Sequence, residues 1–245
     1  MAQSSTIEWT EFSWNPATGC TKVSSGCVNC YAERMAYRLR AMGVERYKSG
    51  FTVRTHPDVL DAPIKWLRPR IIFVNSMGDL FHEEVPDSFI KRVFSIMNQC
   101  PQHTFQVLTK RSHRLAEISA DLRWTHNIWM GVTAENREVV DRVEHLRECP
   151  SRVKFISCEP LLGPIPHLNL KNIDWMIVGG ESGPNARAML KEWATSIRDQ
   201  CIDVGVPYFF KQWGGWNKKA AGRILDGRLW NQMPPRAHEM TLSLP

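Results

Sequence analysis

The sequence has no apolar run long enough to cross a bilayer. Runs such as 71–74 and 175–178 are far short of the roughly 20 residues a spanning helix needs. The N-terminal stretch MAQSSTIEWTEF has no basic segment followed by an apolar one, so no secretory signal is expected. The expected setting is the cytoplasm, with no membrane partner. There is no low-complexity tract, block of like charge or internal repeat, which excludes solenoids and long disordered tails. The eight histidines are scattered and no H-E-x-x-H occurs, so a hydrolytic zinc enzyme has little support. No glycine-rich phosphate fingerprint follows the first expected strand, which weakens the dinucleotide-binding version of an open doubly wound sheet. Seven cysteines cannot all pair, and in a reducing compartment none is expected to form a structural disulfide.

The composition is that of a globular chain. Hydrophobic residues make up 43% and charged residues 23% of 245 positions, enough for one large core and tight for two. The net charge of +6 mildly favours an anionic partner. Strand-like runs fall at 7–13, 71–75, 104–109, 128–132, 153–157, 175–178 and 208–211, with a weaker one at 51–56. Helix-like stretches at 30–42, 88–99, 113–118, 136–147 and 190–204 separate them. Such alternation predicts an α/β fold with a parallel sheet. Several strands run from apolar residues into polar ones: Val74 into Asn75-Ser76, Leu108 into Thr109-Lys110-Arg111, Ile156 into Ser157-Cys158-Glu159, and Val178 into Gly179-Gly180-Glu181. Polar clusters at successive strand ends fit a TIM-barrel-like (βα)n domain with its site at the C-terminal mouth. We expect that domain over 1–212, with 213–245 as a C-terminal extension or lid packed on it.

The most informative segment runs from Trp14 to Tyr31. Cys20, Cys27 and Cys30 form C-x6-C-x2-C between the first strand and the first helix. Gly19, Ser24, Ser25 and Gly26 let this loop curl so that three sulfurs can converge. Zinc would need a fourth ligand for a closed structural site, available from Cys158, His56 or His82. A 4Fe-4S cluster would take three cysteines and leave one iron open, or close on Cys158.

A cysteine loop after the first strand of a (βα) barrel resembles the radical S-adenosylmethionine (SAM) superfamily, whose usual first gap is three residues rather than six. The motifs W-N-P-x-x-G-C and G-C-x-x-C-Y-A resemble the three-Cys-motif family, a poorly characterised, phage- and bacteria-associated, radical-SAM-like group. The resemblance extends over most of the chain, through the segments at 75–81, 108–111, 131–133, 157–161, 179–183 and 209–214. It implies a radical-SAM-type partial barrel in which Cys20, Cys27 and Cys30 hold a 4Fe-4S cluster and SAM occupies the open iron. Reductive cleavage of SAM would then lead to hydrogen abstraction from a substrate, with a reducing partner such as flavodoxin or ferredoxin.

Asn75, Ser76, Gly78 and Asp79 follow the second core strand, where that superfamily holds the SAM amino group. The same turn looks like that of the spore photoproduct lyase branch. Asp79 could equally cap the next segment. Gly180 and Glu181 could reach the cofactor from the opposite wall, or form a tight turn. Lys110 and Glu159 are the candidate catalytic side chains at strand ends, for anion pairing and proton transfer. Lys211 is a motif position without an assigned role. In the segment 213–228, Trp213, Trp216, Lys218, Lys219, Arg223 and Arg228 interleave aromatics with cations, as a nucleic acid contact would. The same segment reads as a β-hairpin turning at Asp226-Gly227. The competing readings are a closed cluster acting in electron transfer, sensing or nucleic acid binding, and a structural zinc site on a nucleic-acid-binding barrel.

Overall fold

The computed structural model describes residues 3–236, with the side chains at 3, 4, 218 and 219 outside the description. The chain opens with β1 (Gln3–Ser4), β2 (Phe12–Trp14) and β3 (Ala17–Thr18), then α1 (Tyr31–Ala41) and β4 (Arg54–Thr55). Next come β5 (Ile71–Val74), α2 (Asp87–Gln99), β6 (Thr104–Thr109), α3 (Ser112–Ser119) and β7 (Ile128–Thr133). Then follow α4 (Arg142–Glu148), β8 (Val153–Cys158), β9 (Trp175–Gly179), α5 (Lys191–Val204) and β10 (Tyr208–Gln212). A short α6 (Lys218–Ala221) and a hairpin of β11 (Ile224–Leu225) and β12 (Arg228–Leu229) complete it.

One sheet carries the fold, in the order β1-β2-β5-β6-β7-β8-β9-β10. Only the β1–β2 pairing is antiparallel; the other neighbours are parallel. β5, β7 and β9 are buried on both faces, as strands of a covered parallel sheet must be. One face packs Ile72, Val74, Phe105, Val107, Met130, Ile156, Met176 and Phe210 into the main core with helix residues such as Ile90, Val93 and Ile197. The other face points Phe73, Trp129, Phe155, Trp175, Ile177 and Phe209 into a separate cluster around Trp9. The Trp9 ring lies 4.7 Å from Phe73 on β5 and 6.2 Å from Trp175 on β9, so the sheet curls around one interior. This is the expected partial barrel: aromatic inside, with its polar strand ends at one mouth.

Local chemistry explains where the sequence expectation shifts. The run 7–13 is not one strand. Thr10 N–H donates to the Ile7 carbonyl (3.3 Å), and that turn delivers Trp9 to the barrel interior, leaving Phe12–Trp14 to pair with β5. The segment 51–56 stays outside the main sheet; Arg54–Thr55 pairs with Ala17–Thr18. The stretch 136–147 breaks, because the Asn136 side chain accepts from Glu138 N–H (3.0 Å) and closes a single 3-10 turn before α4 begins. Asp226 (φ 49°) and Gly227 (φ 77°) make the expected turn between β11 and β12. That hairpin folds back on the barrel. Phe210 N–H donates to the Trp230 carbonyl (2.9 Å), and the Trp230 ring stands edge-on to Tyr208. The final part of the expected extension, 237–245, lies outside the described residues. Among the described residues no helix is long and apolar enough to cross a membrane.

Candidate functional site

The cysteine loop lies across the polar mouth. After β3 the chain passes Gly19 with φ 84°, and a side chain there would collide with the Thr52 carbonyl. It then carries Cys20 and Cys27 and enters α1 with Cys30 at the N-cap position, where the helix dipole favours negative charge. These three thiols are partly exposed, whereas Cys100, Cys149, Cys158 and Cys201 are buried.

The segment after β5 forms one wall. Asn75 sits at φ 62°; its Oδ1 accepts from Ala17 N–H (3.2 Å), and its buried Nδ2 has no partner. Ser76 Oγ donates to Asn15 Oδ1 (3.2 Å), and the Ser76 carbonyl accepts from the Tyr31 hydroxyl. Gly78 bridges to Gly19, so closely that a Cβ on Gly78 would meet the Gly19 carbonyl at 2.8 Å. Asp79 accepts from Thr109 Oγ1 at 2.8 and 3.0 Å, Phe81 N–H at 3.0 Å, Lys110 N–H at 3.1 Å and Arg111 Nη1 at 3.4 Å. Its carboxylate is taken up in joining the loops after β5 and β6. Arg111 reaches on to Cys20, with Nη1 3.2 Å from Sγ. Burial, then the Asp79 charge, push the Cys20 thiol up to about 11 against the opposing pull of Arg111.

The opposite wall comes from β9. Gly180 faces its own chain, since a Cβ there would collide with the Trp213 carbonyl. Glu181 is a clamp. Asn29 Nδ2 donates to its Oε2 (2.9 Å), Arg187 N–H and Nε donate to Oε2 (both 2.9 Å), and Arg187 Nη2 donates to Oε1 (2.5 Å). Burial pushes this carboxyl up, but the Arg187 and Asn29 hydrogen bonds outweigh it and hold it at about 2. Arg187 also donates to the Ser25 carbonyl (3.0 Å), and Arg34 joins the carbonyls of Asn29 and Ser182. The cysteine loop is thus pinned from both sides.

Two partly buried ion pairs lie between these walls. Lys110 Nζ lies 3.7 Å from Glu135 Oε1. Glu135 is fully buried, is paired to Arg142 (3.0 Å), and accepts from Ser24 Oγ in the cysteine loop (2.7 Å). Glu159 pairs with Lys211 at 3.0 Å, and Trp9 Nε1 and Ser157 Oγ both donate to its other oxygen at 3.2 Å. The eleven sequence-selected residues sit on the cysteine loop or just after β5, β6, β8 and β9. Sequence reasoning did not select Glu135, Arg142, Arg187 or Asn29. The one available signal was the polar end of β7, Thr133-Ala134-Glu135.

Among the described residues, no three His, Cys, Asp or Glu side chains stand as a ready metal cage. The donor set still fits a cluster in kind and place. It offers three partly exposed thiols on one pinned loop. Cys158 faces the other way. Ser157 and Glu159 point into the mouth, and the intervening thiol donates toward Met176 Sδ (3.8 Å) within the helix-side core. His56 Nε2 is bonded to Thr18 Oγ1 (2.8 Å). His82 is bonded through Nε2 to Thr21 Oγ1 (2.9 Å), and its Nδ1 accepts from Glu84 N–H (3.1 Å).

Comparison with known proteins agrees with this architecture. A family model described as "Protein of unknown function (DUF5131)" matches residues 4–234. No curated protein matches the sequence. The fold is similar to that of spore photoproduct lyase. A variant with bound AdoMet and dinucleoside spore photoproduct superposes at TM-score 0.51 with 12% identity, over 73% of this chain and 58% of that one. The complex with dinucleoside spore photoproduct gives 0.50 and 14% over the same shares. A cysteine-to-serine variant gives 0.51 and 14%, over 82% of this chain and 63% of that one. The chain spans about three-fifths of the length of these structures, and the likeness shows the fold, a parallel α/β partial barrel.

Proposed function

The chain belongs to the DUF5131 family, and from that premise we propose that it is a radical-SAM-like iron–sulfur enzyme. One observation carries the reading: three of seven cysteines are partly exposed, and all three sit on the loop pinned across the mouth. Cys20, Cys27 and Cys30 would hold three irons of a 4Fe-4S cluster, leaving the fourth for SAM. The bound cluster and SAM would supply an electron and a carbon-centred radical that abstracts hydrogen from substrate.

The chain's own residues position and shield. Asn75 offers the unpartnered buried Nδ2 beside the loop, with Ser76 and Gly78 in the same turn, as a place for the polar end of SAM. Asp79 and Glu181 act through the loop, since their oxygens are bonded to the chain. Gly180 lets the backbone of Trp213 close that wall. Glu159 and Lys110 each hold an ionic partner, and a substrate group that displaced Lys211 or Glu135 would meet a charge ready to orient it or exchange a proton. The aromatic interior beneath them excludes water.

A nucleic acid substrate is supported by the basic balance and by Trp216, which is exposed on the C-terminal segment. Arg228 in that segment is already stacked on Trp230, 3.5 Å from the ring centroid. A flavodoxin- or ferredoxin-like reductant suits the exposed stripe of α1 beside Cys30, where Tyr31, Met35, Arg38 and Met42 share one helical face.

Anaerobic reconstitution with iron, sulfide and zinc analysis, followed by reduction with SAM present, tests the reading. Formation of 5′-deoxyadenosine is the expected result. An intact cluster without it would point to electron transfer or sensing instead, and zinc without sulfide would overturn both.

A further inference from the structure

The three loop cysteines are not equivalent. Cys27 has only the Ser24 hydroxyl, at 3.9 Å, and no hydrogen bond reaches the Cys30 sulfur among the described residues. Cys20 alone receives a guanidinium. Arg111 is nearly fully buried, and its fork is saturated. Nε donates to Glu83 (2.9 and 3.1 Å). Nη2 donates to the Thr21 carbonyl (3.1 Å) and Thr21 Oγ1 (2.8 Å). Nη1 donates to Cys20 Sγ (3.2 Å) and Asp79 Oδ2 (3.4 Å). All five N–H groups of the side chain are thereby used. A planar fork fixed at every other proton aims the remaining one at sulfur with little freedom to turn away.

Its supports are themselves fixed. Asp79 is held by Thr109 and by the backbone of Phe81 and Lys110, and Thr21 Oγ1 is also bonded to His82. Glu83, with 63% of its side chain exposed, and the exposed Thr21 are the partners open to solvent. An electrostatically isolated surface arginine would show none of this closure.

We propose that Arg111 is a positioning and tuning residue for the Cys20 ligand: its N–H···S hydrogen bond and fixed positive charge orient that sulfur and raise the reduction potential of the cluster. The proposal rests on the iron–sulfur reading above. The physics is general. A hydrogen bond and a nearby cation both stabilise the more negative, reduced cluster, and groups bonded to a ligand set its orientation.

The test compares reconstituted wild type with Arg111→Lys, Arg111→Met and Glu83→Gln, by iron and sulfide content and by EPR-monitored redox titration. Arg111→Met should lower the reduced-to-oxidised ratio at fixed poise about tenfold, equivalent to about 59 mV for one electron. Arg111→Lys keeps the charge but not the fork, so it should fall between. Glu83→Gln removes an opposing charge at an exposed position and should move the potential the other way. If Arg111→Met does not fold, the Lys and Gln variants still decide. Unchanged potentials in variants with a full cluster would make Arg111 merely structural and overturn the proposal. A wild-type protein that forms no iron–sulfur cluster would instead remove the reading beneath it.

Discussion

The loop cysteines and the core cysteines differ in surroundings rather than in side-chain chemistry. Cys158 and Cys201 are fully buried among Met176, Ala194 and Tyr208, and burial pushes the thiol of Cys201 up to about 12. Cys20, Cys27 and Cys30 lie on a loop that buries little apolar surface and is held by polar side chains from three strand ends. A buried thiol behaves as a small hydrophobe, while a partly exposed thiol among cations can serve as a ligand. The strongest way to break this contrast is to replace Cys20, Cys27 and Cys30 together with alanine. Iron–sulfur absorption should vanish completely, with far-UV circular dichroism unchanged. Native-state alkylation of the wild type stripped of its cluster, read by mass spectrometry, should modify these three thiols and spare the other four.

Glu135 tests whether the loop's support is part of its function. It joins Arg142, Lys110 and Ser24, and Gly26 lies so close that a side chain there would collide with it. Glu135→Gln leaves Arg142 buried without its charge partner. The expected cost is about 3 kcal/mol in chemical denaturation, with reduced iron retention. Unchanged stability would show that the loop does not depend on this floor.

The partial barrel was legible because strand signals are local. The run at 104–109 matches β6 residue for residue, and the run at 153–157 falls one residue short of β8. The three loop cysteines were legible for the same reason, being eleven residues end to end. What holds them was not. Ser24 and Glu135 are 111 residues apart, and Asn29 and Glu181 are 152 apart. No period or spacing connects them; only closure of the sheet does. Trp9 misled for a related reason. Its local pattern is that of a strand, but burying an indole inside the barrel outweighs continuing a two-strand edge. Asp79 and Glu181 were selected as cofactor contacts from their positions, and the structure shows both carboxylates filled by the chain's own donors.

Glu181 gives a pH-dependent form of the comparison. Its folded pKa is depressed to about 2, so its contribution is complete above the ordinary carboxylate range near pH 4.5 and is lost as pH falls toward 2. Glu181→Gln should cost about 2 kcal/mol at neutral pH, from the loss of charge-assisted bonds to Arg187 and Asn29. It should also flatten the acid limb of the stability curve. A variant that melts with the wild-type pH dependence would remove Glu181 from the clamp.

The smallest effect is expected where the sequence alone left the sharpest ambiguity. Cys158 adjoins Glu159 and ends a strand, so it competes on paper for the fourth iron. Strand alternation turns its thiol toward Met176, away from Glu159 and the mouth. Cys158→Ala should therefore leave iron and sulfide content at the wild-type level and cost about 1 kcal/mol, from lost packing around one small buried side chain. A drop to three irons or fewer per chain in this variant, with the fold intact, would mean that β8 turns over when the cluster binds. The contrast between the two groups of cysteines would then fail at its closest point.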